Sequence, residues 1–199
     1  MIHPDIVGRE EKLRILLVKT SSLGDLIHTL PAVSDIAHYV PDAEIDWVVE
    51  EAFAEIPAWH PAVKKVIVAA QRRWRAAWWS SAVRAERRAF FDNLRGTRYD
   101  VVLDMQSLLK SAWLARHAIG VKHGLDWQSA RESLASIFYD GRHRVEFVQP
   151  AVTRQRLLAS LTFGYEYVGP PDFGLQGFIL PDAPQDYVVV MPSASRAAS

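Results

Sequence analysis

Residues 13–20, LRILLVKT, are apolar almost without interruption, the pattern of a parallel strand covered on both faces rather than one with a solvated side. The SSLGD that follows supplies turn and cap residues, and Leu26, Leu30, Val33 and Ala37 then share one stripe at helical spacing. The spacing predicts a helix over 25–39 that Pro31 kinks and Pro41 closes. Short β-rich runs recur at 44–50, 64–69 and 99–105, separated by helical stretches of which the longest is an Arg-rich amphipathic helix over 76–94. A helix over 108–117, a strand over 120–124 and helices near 129–138 and 146–163 complete the series. Strand alternating with helix predicts an α/β fold, a Rossmann-like doubly wound parallel sheet. In open sheets of this kind ligands bind beyond the carboxyl ends of the strands, which is where SSLGD, the QRRWR stretch and 105–107 fall.

After Gly164 the texture changes. GPPDFGLQGFILPDAPQ reads as an interdomain connection, DYVVVMP (186–192) as a further strand, and SASRAAS as a Ser-rich loop of the kind that precedes a helix. The expected layout is an extension at 1–12, a first Rossmann-like domain at 13–164, a connection at 165–185, and at 186–199 the opening strand and loop of a second domain that is cut short there.

Composition narrows the classes. The 199 residues are 49% hydrophobic, enough for a packed core, and contain no Cys, which removes disulfides, zinc-thiolate sites and a thiol nucleophile. The first residues lack the apolar core of a signal peptide, and no run approaches the ~18 apolar residues of a membrane span. A net charge of zero hides a polarity. Residues 21–63 hold eight Asp or Glu and no Lys or Arg, whereas 64–98 hold ten Lys or Arg against two acids, interleaved with Trp74, Trp78 and Trp79. Such a block attracts an anionic partner, although the neutral chain and its acidic neighbour weigh against nucleic acid.

Four constellations can carry chemistry. Lys19 to Asp25 ends the first strand; Gly24 permits a tight turn there, and Asp25, at the start of the helix that follows, taken alone suits an N-cap. It is neither of the glycine-rich phosphate loops. His28 reads as a satisfied helix histidine. Arg72, Arg73 and Arg75 offer three guanidiniums within four residues, suited to phosphate or carboxylate, or simply to a solvated helix face. Asp104 to Ser107 end a buried strand, with Gln106 able to face a substrate and Asp104 able to cap the next helix. Finally 120–140 is rich in His, Trp, Gln and Arg, with Arg131 either binding a ligand or pairing with Glu132 or Asp140.

VKTSSLGDLIHTLPAVSDI, DWVVEEAFAEIPAWHPAVKKVI, RRWRAAW, YDVVLDMQSLLKSAWLARHAIGVKHGLDWQSARESLASIFYD and VVVMPSASR together resemble the lipopolysaccharide heptosyltransferases of glycosyltransferase family nine, across 13–199. RRWRAAW and DWQSARESLASIFYD resemble the first-heptose members more than the second. The resemblance implies a GT-B enzyme, two Rossmann-like domains facing across a cleft, with this chain as the acceptor side. It implies inverting transfer of L-glycero-D-manno-heptose from ADP-heptose to Kdo of Kdo2-lipid A, without a metal or other cofactor. Asp25 stands at the family's GD aspartate, the general base. Ser21, Ser22, Gly24 and Gln106 then line the acceptor site; Arg72, Arg73 and Arg75 bind Kdo carboxylates or lipid A phosphates, and Arg131 helps. Ser193 and Ser195 open the ADP-heptose site, with Ser195 where close relatives carry Thr. The implied partners are ADP-heptose, Kdo2-lipid A and, through it, the cytoplasmic face of the inner membrane, with no nucleic acid. The chain alone is expected to be inactive. The competing reading is a noncatalytic anion- or nucleotide-binding α/β module.

Overall fold

The computed structural model describes residues 12–175; the expected strand at 186–192 and its loop lie outside them. Strands β1 (Arg14–Val18), β2 (Glu44–Glu50), β3 (Val63–Ala69), β4 (Arg98–Asp104), β5 (Ile119–Leu125) and β6 (Gly141–His143) form one sheet in the order β3-β2-β1-β4-β5-β6, every neighbouring pair parallel. Parallel neighbours need crossovers. Helices α1 (Leu23–Ile27) and α2 (Leu30–Tyr39), α3 (Glu55–Ala58), α4 (Gln71–Ala76) with α5 (Ser81–Gly96), and α6 (Leu109–His117) supply them, and α7 (Ala151–Phe163) follows the last strand. This is the expected α/β doubly wound sheet.

The unbroken apolar run of β1 is explained by burial on both faces. Ile15 and Leu17 pack with Leu26, Leu30, Ile36 and Phe163 on one side, whereas Leu16 and Val18 pack with Phe90, Leu94 and Leu114 on the other. Full burial of each such side chain is worth ~1.5–3 kcal/mol, so neither face of the strand tolerates a polar residue cheaply. Register follows from the same pattern, with Leu17 beside Trp47 on β2 and Leu103 on β4.

Several elements differ from the sequence pattern for local reasons. The helix expected over 25–39 is two, because Thr29 caps α2 and Pro31 sits in its first turn, where a missing N–H costs nothing. Pro31 therefore starts a helix instead of kinking one. QRRWR is a helix of its own, and the basic helix begins only at Ser81, where the Ser80 hydroxyl accepts the Val83 N–H. A 3-10 turn at Ser133–Phe138 replaces the helix expected near 129–138, and α7 starts at Ala151 because Pro150 holds the extended backbone before it. The short β6 was not foreseen; it fits against β5 because residue 141 is Gly, where a Cβ would fall 2.4 Å from the His123 ring.

A buried ion pair fastens α7 to α2. Arg156 donates from Nε and Nη2 to the two Asp35 oxygens at 2.7 and 3.0 Å, its Nη1 donates to the Gly169 carbonyl at 3.1 Å, and its guanidinium lies 4.0 Å from the Tyr167 ring. Residues 165–175 are thereby drawn onto the same core, where Tyr165 stacks on Tyr39 with centroids 4.7 Å apart. Asp35→Ala leaves the Arg156 charge buried and uncompensated and is expected to cost about 3–5 kcal/mol in denaturant unfolding. A loss below about 1 kcal/mol, the ordinary worth of an exposed pair, would show that water reaches Arg156.

Candidate functional site

The sheet order reverses between β1 and β4: the chain leaving β1 turns to α1 and α2 on the Leu17 face, and the chain leaving β4 turns to α6 on the Leu16 face. A crevice opens between the two carboxyl ends, as at other switch points of this kind. Its floor is stitched across the strands. The Thr20 N–H and hydroxyl both donate to Gln106 Oε1 at 2.7 Å, Gln106 Nε2 donates to Ser21 Oγ at 3.2 Å, and Lys19 Nζ donates to the Met105 carbonyl at 2.9 Å.

Asp25 stands above this floor, half-buried. It is the third residue of α1 and not its N-cap; Ser22 is the cap, and its N–H and hydroxyl both donate to Asp25 Oδ2 at 3.1 Å. Among the described residues Oδ1 accepts no hydrogen bond. Burial on its own raises the Asp25 pKa, but the Ser22 N–H, the charge of Lys19 and the Ser22 hydroxyl outweigh it, and the net value lies below the ordinary one. Lys19 is in turn pushed down to about 8 by burial, against the pull of Asp25 and Asp104, and so stays mostly protonated at neutral pH. Gly24 is not needed for the turn: it lies in α1 without positive φ, and a Cβ there would meet nothing within 4 Å. His28, expected to be satisfied, has a buried Nδ1 without a partner.

Cations converge on the carboxylate. A cleft of about 80 Å³ is lined by Lys19, Asp25, Gln106, Arg131, Arg154 and Gln155. Arg131 pairs with no carboxylate among the described residues; Glu132 instead caps α6 by accepting the Leu109 N–H, and Asp140 accepts the Lys122 N–H. Arg154 lies 4.5 Å from the Phe147 ring and donates to the Ser129 carbonyl, while its Nε and Gln155 Oε1 are buried without partners. Arg154 and Gln155 were missed because no local pattern marks them on α7. Lys19 had a signal, a lone cation ending an apolar strand.

A second cleft of about 270 Å³ continues past Ser21, whose Oγ also accepts from Lys110 Nζ at 3.2 Å. Ser21, Glu50, Gln71, Arg72, Arg75 and Lys110 line it. The three arginines expected to act together part here. Arg72 and Arg75 face the cleft, Arg72 with its N–H on Glu50 and its guanidinium 5.7 Å from the Phe53 ring. Arg73 is clamped between Glu51, at 3.1 and 3.2 Å, and Glu86, at 2.6 and 2.7 Å, which holds its pKa well above the usual range. It fixes α4 to the end of β2 and to α5, and must surrender those bonds to grip a ligand.

Asp104 does more than cap a helix. Fully buried, it accepts the Gln106 and Ser107 N–H groups at 2.9 and 3.1 Å and the Ser111 and Tyr139 hydroxyls at 2.8 and 2.7 Å, and burial pushes its pKa up against the pull of these donors. It ties β4, α6 and the 3-10 turn into one rigid corner beneath Gln106. Ser193 and Ser195 lie outside the described residues.

The chain as a whole is similar to known proteins. Lipopolysaccharide heptosyltransferase 1 of Escherichia coli K12 is 48% identical over 189 residues, covering 92% of this chain and 59% of the relative. Its namesake in Pseudomonas aeruginosa PAO1 is 52% identical over 176 residues, 86% of this chain and 49% of the relative. The solved structure of E. coli heptosyltransferase WaaC with ADP-2-deoxy-2-fluoro heptose superposes with a TM-score of 0.86 at 47% identity, over 93% of this chain and 60% of that one. The chain thus spans between about half and three fifths of the length of these relatives. Residues 87–199, more than half of the chain, match the family described as glycosyltransferase family 9 (heptosyltransferase), and the chain belongs to that family.

Proposed function

We propose that this chain forms the acceptor wall of an inverting transfer of heptose from ADP-L-glycero-D-manno-heptose to a Kdo hydroxyl of Kdo2-lipid A. The observation that carries the reading is the asymmetry of the Asp25 carboxylate: Oδ2 is held by Ser22, and Oδ1 carries no hydrogen bond among the described residues. A carboxylate fixed through one oxygen has the other available to accept the acceptor proton. As the hydroxyl oxygen attacks the anomeric carbon, its proton passes to Oδ1, the new C–O bond forms, and the bond to ADP breaks on the opposite face with its electron pair leaving on the phosphate. The configuration inverts in one step.

The depressed pKa keeps Asp25 ionised at neutral pH, so the base is ready, and desolvation on closure of a facing wall makes it a stronger one. Arg72, Arg75 and Lys110 in one cleft, and Lys19, Arg131 and Arg154 in the other, provide the positive surface that Kdo carboxylates and lipid A phosphates require. Ser21 and Gln106 supply neutral hydrogen bonds between them. Ser193 and Ser195 are assigned to the start of the donor wall. No step is assigned to a metal or other cofactor. The names of the most similar relatives support the heptose, and the sugar-nucleotide analogue held by one of them supports the donor class. A lipid-linked acceptor sets the reaction at the cytoplasmic face of the inner membrane.

The test uses a polypeptide of the relatives' full length that carries this sequence. Asp25→Asn keeps the size of the side chain and removes the base, and turnover is expected to fall by about 10²–10⁴ with the acceptor KM nearly unchanged. Turnover equal to the parent would remove Asp25 from the reaction. Arg72→Ala with Arg75→Ala is expected to raise the acceptor KM by about tenfold or more and to leave the donor KM within about twofold, each charged hydrogen bond being worth ~1.5–3 kcal/mol. A shift confined to the donor KM would assign this cleft to the wrong substrate.

A further inference from the structure

A groove of about 670 Å³ runs between α4, α5 and α6, and neither Asp25 nor Ser21 lines it. Its floor is apolar, made by Trp74, Phe91 and Leu114. Its rim is basic, with Arg75, Arg84, Arg87, Arg88 and Arg95. Trp78 and Trp113, which line it, are 66% and 49% exposed, and Trp79 next in sequence to Trp78 is 63% exposed. The acids of α5 neutralise only one rim cation: Glu86 is taken by Arg73, and Asp92 pairs with Arg95, at 3.5 Å. Arg75, Arg87 and Arg88 have no acidic partner among the described residues. Arg84 donates to the Trp79 carbonyl, so the tryptophan loop is held to the basic helix instead of swinging free.

Trp78 and Trp79 pack on one another, with ring centroids 6.1 Å apart, and leave exposed indole area whose burial would stabilise the fold by a few kcal/mol. Indole rings partition to the boundary between water and lipid, and clustered Lys or Arg are drawn to anionic headgroups. We infer that this groove and its tryptophan loop form a docking surface for an anionic phospholipid bilayer, with Trp78 and Trp79 entering the headgroup region and Arg87 and Arg88 on lipid phosphates. No helix among the described residues is long and apolar enough to cross a membrane. Nucleic acid fits less well: the chain is neutral overall, and Glu50 and Glu51 at the carboxyl end of β2 lie against α4, where they meet Arg72 and Arg73.

The groove is also continuous with the site. Gln71 and Arg75 line both it and the Ser21 cleft, so a basic path leads from the bilayer-facing rim along α4 to the crevice holding Asp25. An anionic substrate anchored in the same leaflet would meet cations along that whole path. Docking itself does not depend on the transfer chemistry, and binding to vesicles free of sugar donor and acceptor reads it separately.

The experiment is co-sedimentation of the 199-residue chain with vesicles of phosphatidylcholine alone or with about 30% phosphatidylglycerol, repeated with brominated acyl chains that quench tryptophan. Partitioning onto the anionic vesicles is expected to be at least about tenfold stronger, weakening as salt rises. Arg87→Gln with Arg88→Gln should lower it by about 25-fold, roughly fivefold per charge. Trp78→Ala with Trp79→Ala should remove most of the quenching. All four side chains are exposed, and circular dichroism checks that the variants stay folded. Equal partitioning on neutral and anionic vesicles, absence of quenching, or unchanged binding by the arginine variant would each overturn the inference. Retention on duplex DNA at a salt concentration where vesicles are not bound would do the same.

Discussion

The pairing of β1 with β4 is the constraint on which the rest depends. Two parallel strands lie side by side while their chains leave toward opposite faces, and the gap between those exits cannot be filled by either helix. The loops that border the gap must then satisfy their own backbone groups without burying each other. Gln106 does this for Thr20, accepting both its N–H and its hydroxyl, and passes the connection on to Ser21. Asp104 does it for the β4 side with four donors converging on one carboxylate. The result is a crevice with a rigid polar floor, and a helix start that holds Asp25 above it.

Charge in that crevice is arranged at some expense. Lys19 and Asp104 are both buried, each at a cost to its ionised form, and Lys19 is retained in its charged state by the neighbouring carboxylates. What this arrangement produces is an aspartate poised as an anion with one oxygen committed and the other open. The surrounding guanidiniums serve a different end, since they cannot act as bases at neutral pH and instead define which anions approach. In the proposed reaction, base and anion recognition are thus assigned to separate groups on separate elements: α1 for the base, α4, α6 and α7 for recognition.

The sheet was legible because a strand buried on both faces must be apolar, as Ile15–Val18 of β1 are, and because short β-rich runs recur in β2, β3 and β4 at crossover spacing. Helix ends were less so, since Pro31 and Ser80 each serve equally well to break a helix or to begin one, and only packing decides. Asp25 and its loop could be found from their place after the first strand. The partition of Arg72, Arg73 and Arg75 could not, because Glu51 and Glu86 that capture Arg73 come from different elements. Arg154 and Gln155 reach the cleft from a helix more than a hundred residues downstream of Asp25, and no spacing rule joins them. Gly24, by contrast, was read as permitting a tight turn, and it lies in α1 without positive φ.

The central claim is that Asp25 is held as an ionised base by Ser22 and Lys19. Carbon-13 NMR of the chain labelled at aspartate carboxyls, titrated with pH and assigned with Asp25→Asn, measures this directly. The account predicts a midpoint for Asp25 below the ordinary aspartate value of about 3.9. A midpoint at or above that value would mean that burial outweighs the Ser22 and Lys19 contacts, and would contradict it.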